Sequence, residues 1–251
     1  MNHTKSRIVK MLCAISSAIC PVLMFSGCHT VTYEKYDHAD KYTAGNFSYQ
    51  ANQIEHVEVN WVAGEIQIKQ STDSTLHAEE NGTSLSAEQQ LHSYIDGTVL
   101  RIQYCASRYR GEIDGAQKHL TLEIPQGISL SVNSVSGNIC SDRLLVRNLD
   151  FDSVSGEIRI GSLETDYAEI DSVSGDIRLS LLQCKTLKAD TTSASVTLIL
   201  TDDFGAEIDF ETVSGDFKSD RLYQIQDKKK ILGSGDCKIE VETVSGNLTV
   251  Q

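Results

Sequence analysis

The sequence predicts an all-β protein: a single-domain β-solenoid, or β-helix, with coils of about 19 residues and a helical signal segment at its N-terminus. Three observations carry this. A seven-residue phrase recurs as "NSVSGNI" at 133–139, "DSVSGEI" at 152–158, "DSVSGDI" at 171–177, "ETVSGDF" at 211–217 and "ETVSGNL" at 242–248. Its glycines are regularly spaced: Gly137, Gly156 and Gly175 lie 19 residues apart, Ala194 takes the next place, and Gly215 and Gly246 follow after 21 and 31. Finally, apolar and polar residues alternate through most of a chain with only 2 prolines, as half-buried strands require. Self-similarity at this period implies coils that cannot bury their apolar faces alone and do so by stacking.

The first element is a targeting segment. Lys5, Arg7 and Lys10 precede the apolar run "MLCAISSAICPVLMF", and "SGC" follows at 26–28, the pattern of an export signal. Phe25-Ser26-Gly27-Cys28 resembles a bacterial lipobox, although Phe25 stands where leucine is usual. Residues 1–27 are therefore expected to be a lipoprotein signal peptide and Cys28 the site of lipid attachment. Met11 to Gly27, interrupted by Pro21, is shorter than the ~20 apolar residues of a spanning helix. The expected location is extracytoplasmic, membrane-anchored at the bacterial cell envelope, with the membrane as a partner through the lipid. Residues 28–53 are polar and without sustained period, and are expected to form a tether of mixed order.

Residues 54–251 form the expected adhesin-like domain. "IEHVEVNWVAGEIQIKQ" at 54–70 alternates and holds a looser copy of the phrase around Gly64. A polar loop is expected over 71–90. "YIDGTVLRIQY" at 94–104 reads as a hairpin about Asp96-Gly97, and "KHLTLEIPQGISLSV" at 118–132 as two strands hinged at Pro125-Gln126-Gly127. From Gly137 onward each coil offers two short strands that meet at the glycine, so that Gly64, Gly137, Gly156, Gly175, Gly215 and Gly246 are expected as structural turns. The last interval carries an insertion, "RLYQIQDKKKILGSGD".

Within a coil, residues two apart share a face. Strict parity sends Leu149, Phe151 and Ser153 inward, and likewise Ile170 and Ser172. Val154 and Val173 then point outward. A bulge before the glycine would instead bring the valines in, and this is the arrangement expected here.

The chain carries a net charge of −13, and the first 27 residues contain basic side chains but no acidic one, so the mature chain is more acidic still. Nucleic acid is excluded as a partner on this balance. Cys13 and Cys20 fall in the signal segment. Cys105, Cys140, Cys184 and Cys237 remain, none at metal-motif spacing, and their three disulfide pairings are indistinguishable in sequence.

Parity also aligns charges. Asp152, Asp171, Asp190, Glu211 and Glu242 fall at equivalent outward positions, beside a second set holding Asp150, Glu169, Lys188, Asp209 and Glu240. Coils stack ~4.8 Å apart, where like charges repel by about 1 kcal/mol per pair even in water. Screening, raised pKa values or a bound cation must offset this. The first five residues are the expected site for cations or a basic ligand: a cationic peptide, a protein or another cell-surface ligand. No metal motif and no cofactor motif occurs. Catalytic residues are not expected. The serines lack a histidine within the repeats and a nucleophile elbow. Glu157 and Asp176 lie at a spacing that suits a retaining glycosidase pair, but Asn138, Ser195 and Asn247 fill the same place in other coils.

The recurring "VSG[DEN]I", "VAGEIQI" at 62–68, "LEIPQG" at 122–127 and "GSGDCKIEVETVSGNL" at 233–248 resemble the bacterial adhesin-like family of domains of unknown function, which is related to auto-transporter adhesin head domains. The resemblance spans residues 54–251. It implies a β-solenoid at the cell envelope with a binding or structural role and no known catalytic residues. The expected function is thus an envelope-anchored lipoprotein presenting an acidic solenoid face to a partner. Two alternatives are an envelope-stress sensor or sequestering protein for cationic peptides, and a carbohydrate-active enzyme.

Overall fold

A computed structural model describes residues 30–82, 84–114 and 117–251; the expected signal segment and Cys28 lie outside them. The fold is a β-solenoid built from two long parallel ladders. In the first, Val99–Gln103, His56–Trp61, Ser129–Ser134, Asn148–Ser153, the second half of Ile158–Ser172 and the second half of Ile177–Thr191 follow one another. The second ladder joins His119–Ile124, Glu65–Gln70, Asn138–Ser141 and the first halves of the same two long strands. Two coils thus run as single 15-residue bent strands.

The last two coils are stacked out of chain order. Cys237–Thr243 pairs with residues 186–191 on one side and with Ala206–Thr212 on the other, and Leu248–Val250 lies likewise between Val196–Leu200 and Phe217–Ser219. The later coil is therefore inserted inside the earlier one. The insertion makes this feasible: Gln224–Gln226 and Lys229–Leu232 form a hairpin whose second strand runs antiparallel on Ala206–Ile208. Repeat counting alone orders coils by sequence, because every coil offers the same inward set.

Inward rows match residue for residue across coils: Val57, Leu130, Leu149, Ala168, Leu187, Ile239 and Ile208 form one, all of them fully buried or nearly so. Phe151 and Ile170 belong to the next. The N-terminal edges are closed by a change of direction. His92–Asp96 pairs antiparallel with Val99–Gln103, as the Asp96-Gly97 hairpin predicts, with Gly97 at φ +63°. Thr75–Asn81, expected as part of a loop, is instead a strand running antiparallel to His119–Ile124. Its buried residues are Thr75, Leu76 and Ala78, two of them apolar, too few to register as alternation. Such capping denies a parallel edge to other chains.

Residues 30–53, part of the expected tether, carry strands that join the domain. Thr30–Thr32 pairs with Arg110–Glu112, Thr43–Ala44 with His92–Asp96, and Phe47–Gln50 with Thr75–Asn81. Val31 and Tyr33 are buried in the core.

The repeated phrase resolves into four jobs. Its first hydroxyl is buried, as strict parity predicts, and not displaced by a bulge: Ser134, Ser153, Ser172 and Thr191 are fully buried, while Val135, Val154 and Val173 form a separate, partly exposed strip. The buried hydroxyl closes its own corner, Ser153 Oγ donating to Gly156 O at 2.9 Å and Ser172 Oγ to Gly175 O at 2.6 Å. The second serine stitches coils together: Ser155 Oγ donates to Val135 O at 3.2 Å and Ser174 Oγ to Val154 O at 3.1 Å. The glycine is there for lack of room. A Cβ on Gly156 would lie 2.0 Å from Gly137 O, and one on Gly175 2.0 Å from Gly156 O. Of the six predicted turn glycines only Gly64, at φ +94°, adopts the left-handed conformation. The other five have no left-handed backbone that would demand glycine, so Ala194 occupies the equivalent place with its corner intact, Thr191 Oγ1 donating to Ala194 O at 3.0 Å.

Candidate functional site

The outward face of the first ladder carries the predicted charge rows. Register places Asp152 opposite Asp171, Asp171 opposite Asp190, Asp190 opposite Glu242 and Glu242 opposite Glu211. All five predicted residues therefore share one row, with Glu242 inside Glu211 because the last coils are exchanged. The parallel row runs Asp150, Glu169, Lys188, Glu240, Asp209. Tyr167 Oη donates to Glu169 Oε2 at 2.6 Å.

Crowding partly dries these carboxylates. Burial, then the charge of Asp150, pushes Asp152 up to about 6. Burial, then Asp190, pushes Asp171 up to about 8. Asp150 is raised as well, by burial and by Glu169. Protonation is thus one means by which the fold tolerates the row. Among the described residues no three His, Cys, Asp or Glu side chains form a metal-holding group.

The carboxylates that would serve a glycosidase are engaged otherwise. Asp176 Oδ1 accepts the backbone N–H of Ser195 at 2.8 Å, as Asn138 Oδ1 accepts that of Glu157 and Asn247 Oδ1 that of Asp216, both at 2.9 Å. Glu157 pairs with Arg159 at 2.6 Å. This position binds the next coil's backbone, which explains its Asx preference.

A pocket of about 380 Å³ lies at the N-terminal end of the same face, within the size range of small-ligand sites. Residues 33–38 and Tyr42 form one wall. Tyr36 and Tyr42 pack at 4.7 Å between ring centroids, and Tyr42 and Tyr94 at 5.4 Å. The floor is polar and prearranged. Arg101 is ion-paired with Glu58, and its Nε lies 3.6 Å from Asp96 Oδ2. Asn60 Nδ2 donates to Glu58 Oε1 at 3.0 Å, and Tyr33 Oη donates to Gln103 Oε1 at 2.7 Å. Burial raises the Tyr36 and Tyr42 phenols, which therefore remain neutral donors.

Pocket floor and charge rows are one surface. Gln103, Asn60, Asn133 and Asp152 occupy successive strands in register, as do Arg101, Glu58, Ser131 and Asp150. Asn133 Nδ2 donates to Asn60 Oδ1 at 3.0 Å across the junction. The sequence reading missed the pocket because Tyr33, Tyr36 and Tyr42 lie in a stretch without period. Their density was the available signal, since flexible tethers are poor in aromatics.

A family model described as Toastrack DUF4097 matches residues 51–251. No curated protein matches the chain. Similar solved structures include a candidate cell adhesion protein from Clostridium sporogenes, at 11% identity, covering 84% of this chain and 99% of that one with a TM-score of 0.49. A candidate adhesin from Bacteroides fragilis has 14% identity, coverage of 82% and 96% and a TM-score of 0.44. A candidate lipid-binding protein from Parabacteroides distasonis has 12% identity, coverage of 83% and 97% and a TM-score of 0.40.

Proposed function

The chain belongs to the Toastrack DUF4097 family, and from that premise we propose an adhesin-like, non-catalytic binding protein that presents the polar face of its solenoid to a partner. The reading places it outside the cytoplasm, held to the envelope membrane by a lipid on Cys28. Support for that location comes from the basic, apolar and small-residue order of residues 5–28. Among the described residues no helix is long and apolar enough to cross a membrane.

One observation carries the choice of surface: the aromatic-walled pocket and the carboxylate row occupy a single in-register face. Its chemistry favours a partner bearing several cationic groups. A guanidinium or ammonium fits against tyrosine faces, and further cations meet Asp152, Asp171, Asp190 and Glu211 in turn, whereas Glu242 is buried within the row. Nucleic acid is disfavoured by the same charge. Capture of free cationic peptides, as in a stress sensor or sequestering protein, uses the same face with a soluble ligand.

The test is titration of an arginine- and lysine-rich peptide into the full chain at several salt concentrations. Binding should weaken steeply with salt. It should also strengthen as pH rises from about 6 to about 8, because a cation favours the ionised carboxylates. Changing Asp152→Asn, Asp171→Asn, Asp190→Asn and Glu211→Gln together should lower affinity at least about tenfold, close to 1.4 kcal/mol. Unchanged affinity in that variant overturns the reading.

A further inference from the structure

Two of the cysteines are brought together by the out-of-order coil. Cys140 lies on Asn138–Ser141 between Gln67 and Arg159, and Cys105 lies at the N-terminal end, its carbonyl accepting from Tyr36 Oη at 3.3 Å. Cys184 and Cys237 instead meet in the core. In the strand Ile177–Thr191, exposed Leu182 and Gln183 interrupt the alternation and turn the next side chain, Cys184, inward. Cys237 opens the strand Cys237–Thr243, which runs beside residues 186–191 from the pair Thr186 and Lys238 onward. Both thiols are buried, 8% and 1% exposed, on neighbouring parallel strands, and each is close enough to the other to shift its ionisation. The parallel register carried back from Thr186 and Lys238 puts Cys237 beside Lys185, one residue along from Cys184; with strands ~4.8 Å apart and a rise of ~3.3 Å per residue, the two Cα atoms stand about 6 Å apart, inside the ~4.4–6.8 Å range that a disulfide spans.

We propose that Cys184 and Cys237, which are thiols in this structure, are oxidised to a disulfide in the exported protein. The proposal depends on the extracytoplasmic location given above, and not on the nature of the ligand. The oxidant is a disulfide, either on a protein or a small molecule. One cysteine thiolate attacks it and releases one oxidant thiol, leaving a mixed disulfide. The second cysteine thiolate then displaces the other oxidant thiol. One S–S bond forms, one is reduced to two thiols, and the hydrogens of the two cysteines end on the oxidant. Both sulfurs are shielded in the closed stack, so exchange takes place before the inserted coil has docked.

The bridge has a defined mechanical effect. It encloses Ala206–Ser219 and the hairpin that follows in a covalent loop, and pins the inserted coil to the coil it joins. Coils added in chain order need no such pin; a coil slipped between two others gains most from one.

The experiment uses the full chain, denatured with reductant, refolded in oxidised and reduced glutathione, then alkylated and mapped by mass spectrometry. The expected product is a Cys184–Cys237 linked peptide with Cys105 and Cys140 alkylated. Oxidised chain should melt on the order of 10 °C above reduced chain, and that gap should vanish in the double variant C184S/C237S. Alkylation of both Cys184 and Cys237 after oxidative refolding overturns the proposal, as does a bridge from either one to another cysteine. A bridge formed in glutathione but missing from chain extracted from its own cells overturns the location and leaves the contact reading of the polar face standing.

Discussion

Gly156 rests on Gly137 so closely that a methyl group added to it would lie 2.0 Å from the Gly137 carbonyl oxygen. The next corner repeats the relationship. Gly156→Ala must therefore push two coils apart or tilt a ladder, and the expected cost is about 3 kcal/mol or more. Ala194→Gly, at the one corner already built around a Cβ, should cost about 1 kcal/mol or less. Urea midpoints of the two variants check the contrast, and equal losses would show that the corners are not sterically closed.

The two serines of each phrase should be separable by mutation. Ser172 Oγ is buried and holds Gly175 O, whereas Ser174 Oγ is exposed and reaches Val154 O. Ser172→Ala leaves a buried carbonyl without that partner, a loss of about 1–2 kcal/mol. Ser174→Ala lets water take over, so the loss should be about 0.5 kcal/mol or less. Thermal unfolding of both variants decides it.

Asp171 makes stability depend on pH. Its folded pKa of about 8 exceeds the ordinary carboxyl value of about 4, so the folded state binds a proton that the unfolded chain has released. The stability this contributes is complete below about pH 4 and is lost as pH rises through about 8. Asp171→Asn should then raise Tm by about 5 °C at pH 8.5 and change it little at pH 4.5. Asn133 and Asn60 continue the row at the other end, so the amide fits the position. A variant less stable than the parent at pH 8.5 would contradict this.

Lys118 and Glu80 form a buried ion pair at 2.8 Å, with side chains 1% and 3% exposed. Lys118 Nζ also donates to Tyr104 O at 2.5 Å and to Gln89 O, and lies 4.3 Å from the Tyr104 ring centroid. Lys118→Met strands the Glu80 carboxylate and should cost about 3–5 kcal/mol. Adding Glu80→Gln should recover more than half, since the amide oxygen still accepts the Leu91 N–H now held by Glu80 Oε2. A double variant no better than the single one would show that the lysine acts through packing.

What could be read from the sequence was local. Parity alone puts Leu149, Phe151 and Ser153 inward and Asp152 outward, and each lies where it should. Val154 and Val173 show the limit of hydropathy as a guide: the corner hydrogen bond holds the serine in, and the valines accept an outer strip. Coil order was beyond reach because Asp190 fits Glu242 and Glu211 equally well as neighbours. The pocket joins Tyr36 and Tyr42 to Asp96 and Arg101, residues more than fifty positions apart, and no periodic signal connects them.

The inserted coil also governs when the molecule can become whole. A repeat array normally zips from one end as it emerges, each new turn settling on the last. Here Ala206–Thr212 is made earlier but has no parallel neighbour until Cys237–Thr243 arrives to separate it from residues 186–191. During synthesis or export, the stack up to Thr191 exposes a growing edge whose proper occupant is still some fifty residues away. That interval is when a wrong strand can dock, whether Ala206–Thr212 itself or the same segment of another molecule, so this one crossing converts a simple ladder into a fold with a deadline.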